Sequence, residues 1–186
     1  MLPKITPQVV ELWSRVLSAV ADSRMVLKSP GFSDTPTRDR YINLFEKNGV
    51  SPSRLLFLDR TPSRTDHLAR YALMDIALDS FPYNGTTTTC EALYMGVPKI
   101  VLAGRTHADR VGVSLLTNVG LPELIASTPD DFVRVASGLA SNRDKLQELR
   151  ATMRERMEHS PLRDEQGFAR EMESQYRAMW KTWCAS

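Results

Sequence analysis

The stretch that most constrains this chain runs from Asp75 to Ala103. An apolar run, Asp75-Ile76-Ala77-Leu78-Asp79, stops at Phe81-Pro82-Tyr83-Asn84-Gly85. Four consecutive threonines, Thr86 to Thr89, then lead into a helical pattern through Cys90-Glu91-Ala92-Leu93. Gly96-Val97-Pro98 ends it, and a second apolar run follows, Lys99-Ile100-Val101-Leu102-Ala103. Strand, small-residue turn, helix, Gly-x-Pro and strand form a βαβ unit. Its turn brings backbone N–H groups, hydroxyls and a helix N-terminus to one place. Helix N-termini carry unpaired donors and partial positive charge, so they suit anions such as phosphate. Capping alone needs one Thr, and β-branched residues are only moderate helix formers. The run of four therefore points past capping to phosphate binding.

The rest of the chain alternates around this unit. Thr6-Pro7 starts a helix, with Val9, Val10, Leu12, Trp13, Val16, Leu17 and Val20 at helical spacing. Arg24 to Lys28 reads as a strand, a helix runs from near Pro36 to Lys47, and Leu55 to Leu58 reads as a strand buried in a parallel sheet. A loop from Asp59 to Arg64 leads to a short helix with His67, Leu68, Tyr71 and Leu73. After the central unit a helix is predicted over Ala108 to Leu116, with a short edge strand at Leu124 to Ala126. Thr128-Pro129 and Asn142-Arg143 open two more helices. The last begins near Glu165 and carries Phe168, Met172, Tyr176, Met179, Trp180 and Trp183, a stripe that reads as core packing or as a face for a partner. This order predicts an α/β, Rossmann-like fold: a parallel sheet with helices on both faces, then a helical tail. Because the alternation begins with a helix, a further strand is expected ahead of it, and Met1 reads as a cut just after that strand, or within a larger chain.

A chain of 186 residues with net charge +2 is one domain by size and carries no strong field toward nucleic acid or membrane. No apolar run is long enough to cross a bilayer. Cys90 and Cys184 match neither a zinc spacing nor a disulfide framework, and read as reduced thiols in a cytoplasmic protein. No metal-ligand cluster, nucleophile elbow, P-loop or G-x-G-x-x-G fingerprint is present, which disfavours hydride transfer and ATP hydrolysis.

In open α/β sheets, ligands bind beyond the carboxyl ends of the strands. The residues there are Lys28-Ser29-Pro30, Arg60 to His67, Asn84 to Thr89, and Gly104 to His107, which together offer amides, hydroxyls, Lys, Arg and His to a nucleotide diphosphate. Glu91 lies about one helical turn past the threonines. It either holds ribose hydroxyls or is a surface carboxylate favoured by the helix dipole, and spacing leaves both open. Taken singly, His67 reads as cover for an apolar patch, and Lys4, Arg64 and Arg70 as solvated.

Together, Lys4-Ile5-Thr6-Pro7, Asp66-His67-Leu68, the block from Asp79 to Glu91, and Leu93-Tyr94-Met95-Gly96-Val97-Pro98 resemble a known family. It is the catalytic region of O-linked N-acetylglucosaminyltransferases and Spindly-type O-fucosyltransferases, glycosyltransferase family 41, and the resemblance extends to Tyr176-Arg177-Ala178-Met179-Trp180. It implies the C-terminal half of a two-domain GT-B enzyme, with a nucleotide-sugar-binding core over 1–126 and helices over 127–186 packing on the same domain. The N-terminal catalytic half and helical (tetratricopeptide) repeats would lie outside this chain.

By resemblance, Lys4 contacts the donor diphosphate as the catalytic cation, and Thr87 and Thr88 bind its phosphates. Glu91 meets the ribose, His67 packs against the base, and Arg64 belongs to the base-binding loop. Thr86 stands in the same donor site where animal N-acetylglucosaminyltransferases carry His, and Glu91 where they carry Asp. The implied donor is UDP-N-acetylglucosamine, with GDP-fucose as the alternative, and the acceptor is a protein Ser or Thr. No metal or cofactor is expected, and the chain alone is expected to be inactive; a non-catalytic nucleotide-binding module is the competing class.

Overall fold

A computed structural model describes residues 2–185. Helix α1 (Pro7–Ala19) starts where expected: the Thr6 hydroxyl accepts from the Val9 N–H and Pro7 occupies the first turn. Its apolar stripe is buried from Val9 to Leu17. Strand β1 (Met25–Lys28) and β2 (Leu55–Leu58) flank α2 (Thr35–Lys47), whose Tyr41 and Phe45 face inward. The Tyr41 hydroxyl donates to the carbonyls of Leu2 and Ile5, at 3.1 and 3.2 Å, and so anchors the 3-10 turn that ends at Lys4.

Helix α3 (Arg64–Ala69) and a 3-10 turn over Arg70–Leu73 precede β3 (Ala77–Leu78). Then come α4 (Thr87–Tyr94), β4 (Lys99–Leu102), α5 (Val111–Asn118) and β5 (Ile125–Ala126). Helices α6 (Pro129–Ser141), α7 (Arg143–Glu158) and α8 (Glu165–Cys184) complete the chain.

Every strand pairing among the described residues is parallel, as the α/β reading requires. The strands fall into two hydrogen-bonded groups, β1–β2 and β3–β4–β5, rather than one sheet. One hydrophobic core nevertheless joins them, running from Val9 and Leu27 through Leu93, Ile100 and Leu116 to Phe132, Leu149 and Met153. Strand β2 is less buried than its apolar run suggests. Only Leu55 is fully enclosed, because β2 is an edge strand bonded to β1 alone. The expected helix at Ala108 begins instead as a 3-10 turn, His107–Asp109, where the Asp109 carboxylate accepts from the Arg105 and Thr106 N–H groups.

Helix α6 packs on α1, β4 and β5, while α4 packs on α7. The tail helix behaves differently. None of the described residues of α8 is buried, and Phe168, Tyr176, Met179, Trp180 and Trp183 are each more than half exposed. Core packing of this stripe is therefore corrected: its spacing marks an amphipathic helix, but nothing in the described core covers it.

Gly96 ends α4 at φ +76°, and a Cβ there would stand 2.9 Å from the Arg150 carbonyl of α7. Gly96→Ala is expected to destabilise the fold by roughly 1–3 kcal/mol from backbone strain and this contact. Urea unfolding measures it; an unchanged midpoint contradicts the packing described.

Candidate functional site

The turn after β3 is organised from below. Asp79 is buried, and its Oδ1 accepts from the N–H groups of Ser80 and Gly85, both at 3.0 Å. Asn84 is buried too: its amide donates to the Ser80 carbonyl, and its Oδ1 accepts from the Gly112 N–H at 3.1 Å. These bonds hold residues 80–85 in one shape before α4 begins.

The four threonines then divide by side. Thr89 turns inward, fully buried, donating to the Gly85 carbonyl. Thr86, Thr87 and Thr88 are exposed. Thr86 occupies the N-cap position without a side-chain cap bond, so its hydroxyl does not fill the end of the helix. Among the described residues the backbone N–H groups of Thr87 and Thr88 have no acceptor. Helix α4 thus presents outward amides and three hydroxyls on one surface.

Lys4 arrives at this surface from 80 residues away. Its ammonium donates to the Asn84 carbonyl at 2.8 Å and lies 3.8 Å from the centre of the Tyr83 ring. Burial lowers its pKa below the ordinary lysine value; Asp79 opposes that shift and Lys99 adds to it.

At the other end, Glu91 faces His67. Its Oε2 lies 3.0 Å from His67 Nε2 and accepts the Tyr71 hydroxyl at 3.2 Å. Burial, and then the Glu91 charge, push the Tyr71 phenol far up, so it stays a donor. Lys28 at the end of β1 contacts His67 Nδ1 and donates to Thr61 Oγ1 at 3.1 Å. Its own pKa is lowered, first by burial and then by Arg70, against the pull of Glu91. An ammonium only donates, so Nδ1 accepts and Nε2 carries the proton that binds Glu91. With Oε2 doubly engaged, Oε1 is the oxygen of Glu91 left for another donor.

Lys4, Thr86, Thr87, Thr88, Glu91 and His67 are thus brought to one stretch of surface. Arg64 stands in the first turn of the same helix as His67, exposed, and its side chain makes no hydrogen bond or ion pair among the described residues. The Arg105-Thr106-His107 loop is exposed as well, joined to the turn by the Asn84 N–H donating to the Ala108 carbonyl at 2.9 Å. Sequence reasoning gave no site role to Asp79, Tyr71 or Lys99, which support the site from beneath, and it placed Asn84 in the ligand turn without its buried bonds. For Thr89 a signal existed, since it lies three and four residues before Ala92 and Leu93, on their inward face.

The family model for glycosyl transferase family 41 matches residues 1–172. This chain belongs to glycosyl transferase family 41. It is 48% identical over 183 residues to a protein of Hordeum vulgare named probable UDP-N-acetylglucosamine–peptide N-acetylglucosaminyltransferase SPINDLY, covering 98% of this chain and 19% of that one. Identity to the UDP-N-acetylglucosamine–peptide N-acetylglucosaminyltransferase of Caenorhabditis elegans is 30% over 181 residues, or 97% and 15% of the two chains. The fold superposes on a mutant O-GlcNAc transferase of Thermobaculum terrenum with a TM-score of 0.92 at 39% identity, covering 98% of this chain and 35% of that one. The chain thus spans about a fifth of the length of the SPINDLY relatives it matches.

The hydrogen-bond chain from Lys28 through His67 to Glu91 fixes a tautomer. Nitrogen-15 NMR of His67 is expected to show a protonated Nε2 and a bare Nδ1. A protonated Nδ1 in the unaltered protein contradicts the assignment.

Proposed function

We propose that this chain is the nucleotide-sugar-binding C-terminal part of a protein O-glycosyltransferase that moves N-acetylglucosamine from UDP-N-acetylglucosamine to Ser or Thr hydroxyls with inversion. The observation that carries the reading is the meeting of Lys4 with the Asn84–Thr88 turn. A cation from one end of the fold sits 2.8 Å from the Asn84 carbonyl, beside outward amides and hydroxyls. Family membership supports the same reading, as do the names of the relatives.

In the reaction, the acceptor oxygen attacks the anomeric carbon as the bond from that carbon to the β-phosphate oxygen breaks. The nucleoside diphosphate leaves with the electron pair. Lys4 and the Thr87 and Thr88 amides neutralise the charge that develops on it, with Thr86 at the edge of the same surface. Neutralisation by a lysine and backbone amides needs no metal. Glu91 Oε1 takes ribose hydroxyls while His67 and Tyr71 hold Oε2 in place, and His67 and Arg64 lie toward the base. The acceptor hydroxyl's proton goes to a base outside these residues, so this chain alone binds donor but does not turn it over. The free cysteines fit a cytoplasmic enzyme, and the protein acceptor docks through segments outside this chain.

A second reading, GDP-fucose as donor, is favoured by Thr86 and Glu91, which resemble the Spindly branch. Titration calorimetry with UDP and GDP separates the two: tighter UDP binding is expected, and GDP preference transfers the assignment to fucose. A third, a binding module without chemistry, is separated by Lys4→Ala in the full-length protein. That substitution is expected to lower turnover about 10²–10³-fold, the usual cost of losing one electrostatic stabiliser. Because Lys4 has a lowered pKa, its charge and donor affinity are expected to fade below the pH at which an ordinary lysine deprotonates. Lys4→Arg should move that alkaline limb upward; an unmoved limb means another group sets it. Transfer by the isolated chain matching a longer protein would sink the claim of inactivity.

A further inference from the structure

Beneath the threonine turn lies a lysine that none of the outward contacts uses. Lys99 opens β4 and is 5% exposed. Its Nζ is 2.9 Å from Asp79 Oδ1 and donates to Thr89 Oγ1 at 2.8 Å. Asp79, 3% exposed, offers the same oxygen to Ser80 and Gly85, while its Oδ2 is buried without a hydrogen-bond partner among the described residues. Lys99 is the cation in direct contact with that carboxylate.

The ammonium also touches the turn. A Cβ added to Gly85 would stand 3.0 Å from Lys99 Nζ and 2.4 Å from Thr88 Oγ1. Bare glycine therefore lets a buried charge and an outward-facing threonine approach across one backbone segment. Burying a lysine is unfavourable unless it is paired, and an apolar pair could fill such a space at less cost. The position of this pair, directly behind the outward amides, links it to what binds in front of them.

We propose that Lys99 is a positioning residue for the donor diphosphate. It clamps Asp79 and Thr89 so that the amides from Thr86 to Thr88 converge on an anion, and it offsets the carboxylate behind them. The inference rests on the nucleotide-sugar reading above. Without Lys99, an uncompensated carboxylate remains under the turn and opposes a second negative charge in front of it. The loss must then fall on the phosphates and spare the nucleoside, whose base and ribose lie toward His67 and Glu91.

The test is binding to the full-length protein, with calorimetry for UDP and GDP and NMR titration for uridine and guanosine. Lys99→Met is expected to weaken the preferred diphosphate about tenfold or more, a scale typical of breaking a buried charge pair, while its nucleoside stays within about twofold. The double variant Asp79→Asn/Lys99→Met removes both charges and serves if the single variant does not fold. It is expected to bind diphosphate about threefold or more below the unaltered protein, with melting temperature restored relative to Lys99→Met. Undiminished diphosphate binding by either folded variant overturns the inference, as does a parallel loss of nucleoside. Unaltered protein that binds neither UDP nor GDP overturns the donor reading and this inference together; good binding by both protein and variants overturns this inference alone.

Discussion

Asp79 stands where β3 ends, and three parts of the fold are tied to it. Its carbonyl accepts the Trp13 indole N–H of α1 at 3.2 Å, and its carboxylate holds the Gly85 amide and the Lys99 ammonium of β4. Charges this deep are costly unless fully partnered, and removing one member of a buried pair typically costs about 3–5 kcal/mol. That is a large share of the ~5–15 kcal/mol by which domains are stable. Fold and site therefore depend on the same few atoms, which tie the turn to the core beneath it.

This foundation gives the threonine run two distinct faces. Thr89 belongs to the interior network, whereas Thr86, Thr87 and Thr88 are left to solvent with the first amides of α4. Chemistry then differs along the surface. The Lys4 end is cationic and backed by amide donors, suited to phosphate. At the Glu91 end the carboxylate is already held by His67 and Tyr71, and one oxygen remains for hydroxyl donors. A nucleotide sugar presents those two kinds of group in that order.

Local chemistry made much of this legible in the sequence. Thr6-Pro7 and Thr128-Pro129 carry their helix starts in adjacent residues, and the βαβ unit shows itself through its apolar runs and the Gly-x-Pro stop. The outward threonines, Lys4, His67 and Glu91 were named through motifs. What stayed hidden depends on contacts between distant residues. Lys99 read as the polar start of a strand, because its partner Asp79 lies 20 positions earlier and the pairing exists only once β3 and β4 are side by side. The division into β1–β2 and β3–β4–β5 is likewise a matter of strand pairing, which periodicity does not encode. For α8, spacing announced an apolar face but carried no information about what lies against it.

The central claim is that the surface from Lys4 to Glu91 holds a nucleoside diphosphate by its phosphates. A crystal structure of the UDP complex tests it most directly. The account predicts phosphate oxygens within hydrogen-bond distance of the Thr87 and Thr88 amides and of the Lys4 ammonium, with the ribose at Glu91. UDP bound with its phosphates away from that turn contradicts it.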